Sequence, residues 1–316
     1  MVGGIFPPNR LRRENMLKRG KQFTLRQQQE IWAFAFLAIP LLFFAFIRFY
    51  PALYAFNISL RSWSMLSPDR PFVGLQNYRD MFQDEVFWKA LKNTFTYTLL
   101  GVPLQLVIGL GIALMLHNVK RLVPLFRALY FVPYITSVVA VAWVWRFMYQ
   151  PHIGILNRFL MDLGFEQIQF LRNPDTALYS ILAMIVWHGV GFQIVLFLAG
   201  LEMIPDMYYE AAQIDGADSR QVFFRITLPL LNPTIVFVVV MSSIRFLQVF
   251  SEVMNMSNEG LGGPLNSTIS TVLHIYRTAF HRFDMGRASA MTVFLFAIVL
   301  VITVIQMKLV TRKIEY

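Results

Sequence analysis

Residues Glu210 to Pro229 read EAAQIDGADSRQVFFRITLP, a short acidic segment broken by a glycine and set between two long apolar runs. Just before it, Pro205 suits the first turn of a helix, and Asp206 and Glu210 bring negative charge to the positive N-terminal end of that helix. Tyr208, Ala211, Ala212 and Asp215 recur at helical spacing, and the two alanines leave room for another protein's side chains to approach. Gly216 can take the left-handed conformation that ends a helix. Asp218 or Ser219 can then cap a second helix carrying Phe223, Phe224 and Ile226, which Pro229 and Pro233 are expected to stop. The segment therefore reads as a compact helix-turn-helix projecting from the apolar remainder, or, at its plainest, as a connecting loop with helical character.

That remainder is a membrane protein. The chain is 56% hydrophobic and only 15% charged, whereas a soluble domain carries about 25% charge. Crossing a hydrocarbon core about 30 Å thick takes roughly 20 helical residues. Six runs are long enough: Ile31 to Phe56, Asn93 to Leu116, Ala128 to Tyr149, Leu178 to Gly200, Thr234 to Met254 and Ser289 to Val310. Backbone groups in lipid must be satisfied within the segment, and no barrel-like alternation is present, so the expected fold class is all-α with six transmembrane helices.

The net charge of +10 follows from topology. Arg10, Arg12, Arg13, Lys18, Arg19, Lys21 and Arg26 precede the first run; Lys120, Arg121 and Arg127 lie between the second and third; Arg312 and Lys313 follow the last. The positive-inside rule puts all three groups, both termini and the Glu210 segment in the cytoplasm. No basic-aromatic cluster supports nucleic-acid binding. The domain plan is a basic arm over 1–30 and a six-helix domain over 31–316, with a cytoplasmic loop over 201–233. A secretory signal peptide is not expected, because the first run is of spanning length and has no clear cleavage site.

The outer loops carry some structure of their own. Asn57 to Lys92 offers turns at Pro68, Pro71 and Gly74. Ile155, Phe159 and Leu163 mark a short amphipathic helix at the interface, and ISTVLHIYRTAF within Asn255 to Arg287 reads as helical.

The chemistry of an enzyme is missing. There is no cysteine, no phosphate-cradling GxxxxGK[ST] loop, no GxGxxG turn, no HExxH pair and no GxSxG elbow. ATP and Mg, if used, would bind partner subunits. His274 and His281 could share a helix face and are expected to be interfacial or solvated. In the fifth run, Arg245, Gln248, Glu252 and Asn255 follow at intervals of three, four and three, which places all four on one face of a straight helix. A charge near the bilayer centre costs roughly 2.5 to 3.5 kcal/mol, so Arg245 needs a reason to be there. The stripe either lines a translocation path, with Trp143 or Trp187 as stacking partners for what passes, or bridges neighbouring helices.

EAAQIDGADSRQVFFRITLPLLNP resembles the EAA loop of permease subunits in binding-protein-dependent ABC importers, in the form used by the carbohydrate branch. VGLQNYRDMFQDEVFWKALKNTFTYT (Val73 to Thr98), GILNRFLMDLG (Gly154 to Gly164), LFLAGLEMIPDMYYEAA (Leu196 to Ala212) and GGPLNST (Gly262 to Thr268) resemble that branch in matching order. The resemblance implies the type I importer permease fold in a bacterial inner membrane. It implies a second homologous permease subunit, two ATPase subunits and an extracytoplasmic solute-binding protein as partners. It further implies that Glu210, Ala211, Ala212 and Asp215 lie in or beside a coupling helix docked on an ATPase subunit, with Gly216 at its turn and Phe224, Ile226, Leu228 and Pro229 bracing it. The substrate would be a carbohydrate; alginate-type oligosaccharides, maltose-like glucans and glycerol phosphate esters stay open. A self-contained secondary transporter or channel is the rival reading; it would want paired acids within the spans, where the sequence offers Glu252.

Overall fold

The computed structural model describes residues 24–117, 119, 123–257 and 260–310. The arm before Thr24, Lys120, Arg121, Arg312 and Lys313 lie outside the described residues. The chain divides into two units, residues 1–54 and 55–316. Among the described residues there are two isolated β-bridges, one closing the 61–72 loop from Arg61 to Phe72 and one from Ser64 in that loop to Asp284, and no strand.

The first unit is described from Thr24, whose side chain accepts from the Gln27 N–H while the Gln27 side chain returns the bond. That cap starts α1 (Leu25–Ser59) six residues before the expected Ile31. The helix widens to a π turn at Ala45–Phe49 just ahead of Pro51. A proline cannot donate to the carbonyl four residues back, and a wider turn accommodates its ring.

The second unit holds the remaining helices. Their order is α2 (Gln76–Gln83), α3 (Glu85–His117), α4 (Val123–Ile135), α5 (Val138–Met148), α6 (Ile155–Asp162), α7 (Pro174–Glu202), α8 (Met207–Ile214), α9 (Ser219–Leu230), α10 (Asn232–Leu247), α11 (Ser251–Met256), α12 (Thr271–Tyr276) and α13 (Met285–Val310). Among the described residues four helices, α1, α3, α7 and α13, are long and apolar enough to cross a membrane unbroken. Two bent pairs, α4 with α5 and α9 with α10, bring the crossings to six when each pair counts as one span. The third span is therefore not the straight helix expected over Ala128 to Tyr149, since α4 and α5 meet at 92°. Pro133 removes one ladder donor there, and Thr136 and Ser137 carry the break.

The most deeply packed element is α7, which lies against α3 and α4 and places Ile181, Met184, Ile185, Ile194 and Phe197 in the core. Glycines set the closest approaches. A Cβ at Gly191 would stand 1.8 Å from the Tyr130 carbonyl oxygen of α4, and one at Gly101 would stand 2.2 Å from the Phe246 ring of α10. A smaller cluster of Met81, Phe87, Leu91 and Met291 joins α2 and α3 to α13.

The segment before α12 is fastened to α3. Lys89 Nζ donates to the Leu265 carbonyl, Asn93 to the Asn266 and Ile269 carbonyls, and the Tyr97 hydroxyl to that of Thr268. In α12 itself, His274 is 1% exposed and its Nε2 lies 3.1 Å from Asp84, so it is not the solvated or interfacial histidine expected. Burial pushes the His274 imidazole below its ordinary value against the pull of Asp84. Tertiary pairing with a residue 190 positions away gives no sequence periodicity to read.

Candidate functional site

Two places carry polar groups that the bundle itself does not explain: the helix-turn-helix of α8 and α9, and the break between α10 and α11.

The α8 turn is built locally. The Gly216 N–H donates to the Gln213 carbonyl and the Ala217 N–H to the Ala212 carbonyl, the paired bonds that close a helix through a left-handed residue. Gly216 supplies that residue at φ +71°. Asp218 then caps α9, accepting from the Gln221 N–H at 2.7 Å while Gln221 Oε1 accepts from the Asp218 N–H at 3.0 Å. The Tyr209 hydroxyl meets that of Thr227 at 3.3 Å and ties α8 to α9.

Side-chain placement refines the sequence expectation. Glu210, Ala211 and Asp215 are exposed, but Ala212 is buried against its own chain, so one alanine of the pair is free for a partner. Phe224 is exposed rather than braced, while its neighbour Phe223 is partly buried; successive helical residues point about 100° apart, so only one of the two can face inward. The second helix stops between Pro229 and Pro233, as expected. A π turn at Phe223–Thr227 precedes Pro229, the helix runs on to Leu230, and the chain bends 66° into α10. Met207 and Ile214 add exposed apolar surface at 66% and 87%.

Because the space around a Cβ at Gly216 is open, only its backbone conformation constrains the residue. A Gly216→Val variant is expected to misdirect α8 at a cost of about 1–2 kcal/mol and to lower transport, whereas Gly216→Asn, which tolerates this conformation, should transport nearly normally. Uptake assays on both variants at equal membrane abundance check this; equal activity of the two would remove the role of the turn.

The second place corrects the stripe. Arg245, Gln248, Glu252 and Asn255 do not share one helix face, because α10 ends at Leu247 and the backbone leaves helical geometry through Phe250 (φ −142°, ψ −64°) before α11 begins. Tertiary hydrogen bonds hold the break: Ser270 of the following loop donates to the freed Val249 carbonyl. The fold still pairs Arg245 with Glu252 at 3.9 Å. The Arg245 guanidinium also donates to His188 Nδ1 at 2.8 Å and lies 5.7 Å from the Tyr134 ring centre. With Nδ1 accepting, His188 Nε2 carries the proton and faces the Thr136 carbonyl at 3.3 Å, the group freed where α4 breaks into α5. Arg245 thus links both helix breaks.

Gln248 and Glu252 line an open cavity of about 520 Å³ with Phe250, Ser251 and Thr292. Asn255 is turned away from it in function: its amide donates to the Ser251 carbonyl and its own carbonyl accepts from Arg146 at 3.2 Å. Trp143 sits beside Arg146, whose guanidinium lies 5.0 Å from its ring centre. Trp187 lies 5.5 Å from Trp145, ring centre to ring centre, on the walls of two mainly apolar cavities, one of about 640 Å³ between α3, α4 and α7 and one of about 670 Å³ between α4, α5 and α7. Those are larger and lined mainly by apolar side chains, whereas the Gln248 cavity brings together Gln248, Ser251, Glu252 and Thr292, which can bond hydroxyl groups; a further cavity of about 530 Å³ beside α8 also has polar walls, from Asp206, Tyr209, Gln213 and Thr227.

Sequence reading missed a buried amide cluster. Gln193 donates to Gln105 Oε1 at 2.8 Å and to Ser242 Oγ at 2.9 Å, and Gln105 donates to the Val186 carbonyl. The Gln193 Oε1 is buried without a protein donor. Two glutamines inside otherwise apolar runs were the available signal, since a buried amide in a span needs a partner or a function. Among the described residues no group of three metal-ligating side chains is assembled.

Comparison with known proteins is consistent across sequence and fold. Residues 93–316 match the family model described as "Binding-protein-dependent transport system inner membrane component". The chain is 39% identical over 262 residues to the probable ABC transporter permease protein YesP of Bacillus subtilis, covering 82% of this chain and 84% of that one. It is 33% identical over 288 residues to the multiple sugar-binding transport system permease protein MsmF of Streptococcus mutans, covering 90% and 96%. In structure it matches a chain of a bacterial ABC transporter involved in the import of the acidic polysaccharide alginate, with a TM-score of 0.79, 24% identity and coverage of 91% and 98%.

Proposed function

The chain belongs to the family of binding-protein-dependent transport system inner membrane components, and from that membership we propose that it forms half of a carbohydrate path driven by ATP hydrolysis on partner subunits. The permease fold and the inner-membrane, multi-pass location come with the family. The substrate class is supported by sugar-transport relatives such as MsmF and by a cavity at the α10–α11 break whose Gln248, Ser251, Glu252 and Thr292 can bond hydroxyl groups. The remaining partners are a second permease subunit, two ATPase subunits that hold ATP and Mg, and a solute-binding protein on the far side. Both termini and α8 face the cytoplasm.

The observation that carries this reading is α8 itself. A short helix with a fixed exit turn presents Glu210, Ala211 and Asp215 beside exposed Met207 and Ile214. Small and apolar groups exposed together on a rigid helix suit the groove of a soluble partner. The chain has no cysteine, so Ala211→Cys creates a unique thiol. In the assembled complex it is expected to crosslink to an ATPase subunit and to resist impermeant thiol reagents added from outside. Labelling from outside, or no crosslink at Ala211, Glu210 or Asp215, would overturn the docking.

A further inference from the structure

We infer that the cavity at the α10–α11 break passes neutral saccharides and rejects acidic ones, with Glu252 as the residue that sets the preference. The inference rests on the carbohydrate reading above and narrows it. Of the side chains lining the cavity, Glu252 is the one acidic or basic group, and it is 8% exposed. No cation lines it. The arginines closest to this region are already engaged. Arg245 is held between Glu252 at 3.9 Å and His188 at 2.8 Å, and Arg146 is held by the Asn255 carbonyl at 3.2 Å and against the Trp143 ring.

A uronate or sulfonate entering this space would give up water without gaining a counter-charge, and would approach a carboxylate. A neutral sugar meets the opposite situation. Its hydroxyls can donate to Glu252 and both donate to and accept from Gln248 and Ser251. Thr292 spends its proton on the Ala288 carbonyl at 2.9 Å and so offers lone pairs only. The partly buried Phe250 ring gives the apolar face of a pyranose a surface to lie on. Among the polar groups of this mainly apolar lining acceptors prevail, and an anion brings acceptors of its own.

The test is binding to the purified complete complex in lipid nanodiscs without the solute-binding protein, so that delivery does not impose its own selectivity. The probes are neutral trisaccharides of glucose, galactose and xylose and the trisaccharides of galacturonate and mannuronate. At least one neutral trisaccharide is expected to bind ten-fold or more tightly than either uronate. In Glu252→Gln, which leaves Arg245 without its carboxylate, uronate binding should strengthen and that ratio should fall at least three-fold. Uronates binding the unaltered complex as tightly as neutral sugars would overturn the inference and leave the carbohydrate reading standing. An unchanged ratio in Glu252→Gln would overturn the assignment to this cavity. Binding of no saccharide of either class would overturn both readings.

Discussion

Gly191→Ala is expected to destabilise the protein more than any other single added methyl in α7. Its Cβ would have to occupy a point 1.8 Å from the Tyr130 carbonyl oxygen and 2.8 Å from the Tyr130 carbonyl carbon. Both atoms are backbone, so a rotamer change relieves nothing and α4 must move away from α7. Overpacking costs roughly 1–3 kcal/mol, and a backbone obstacle belongs at the top of that range. Separation of the two helices also shifts the Thr136 carbonyl away from His188. Gly111→Ala is the matched control. No atom lies within 4 Å of the Cβ position there, so the variant should stay within about 1 kcal/mol of the parent and on the stable side, as expected for alanine in a helix. Thermal unfolding of the purified complex followed by size-exclusion monitoring separates the two. Equal midpoints would mean that the α4–α7 contact is not as close as described.

The second large effect is expected at Arg245. Removing it in Arg245→Ala leaves Glu252 buried without a cation and His188 Nδ1 without its donor. Truncating one partner of a fully buried pair costs about 3–5 kcal/mol. The Arg245 side chain is 29% exposed, so roughly 2–3 kcal/mol is the appropriate size here. The paired replacement Arg245→Met with Glu252→Gln removes both charges and should recover most of the loss, since a missing pair is far less costly than half of one. Arg245→Lys keeps the charge but not the two-sided donation, and is expected to fall between. If the double variant is as unstable as Arg245→Ala, the ion pair does not hold the two helix breaks together. Gln248→Ala offers the complementary outcome: its exposed side chain lines the cavity and bonds nothing structural, so transport should change while the unfolding midpoint does not.

What the sequence disclosed divides along the reach of the forces involved. The six crossings were legible because an apolar run of roughly 20 residues is a one-dimensional signal. So was the α8 turn: Gly216, Asp218 and Gln221 act within five residues of one another, and the left-handed glycine and the cap both stand where expected. The helix breaks were not legible. Nothing local at Gln248 to Phe250 forbids a helix; the break is held by Ser270, and the one at Thr136 is served by His188 from another span. Of the stripe, Gln248 and Glu252 therefore meet at a cavity edge and Arg245 and Glu252 in an ion pair, while Asn255 joins neither and the single helix face does not form. The surroundings of Trp187 were not legible for the same reason, since they depend on the 92° bend between α4 and α5. The Gln105, Gln193 and Ser242 cluster was missed because its members come from three different spans.

The most direct test of the account is uptake of a neutral oligosaccharide into proteoliposomes that hold the complete complex, with ATP on the α8 side and the solute-binding protein on the other. The account predicts uptake that needs both ATP and the binding protein, and that is lost when Ala211 is replaced by arginine although the complex remains folded. Uptake that proceeds without ATP, driven by a proton or sodium gradient and indifferent to Ala211→Arg, would contradict it and establish a self-contained transporter instead.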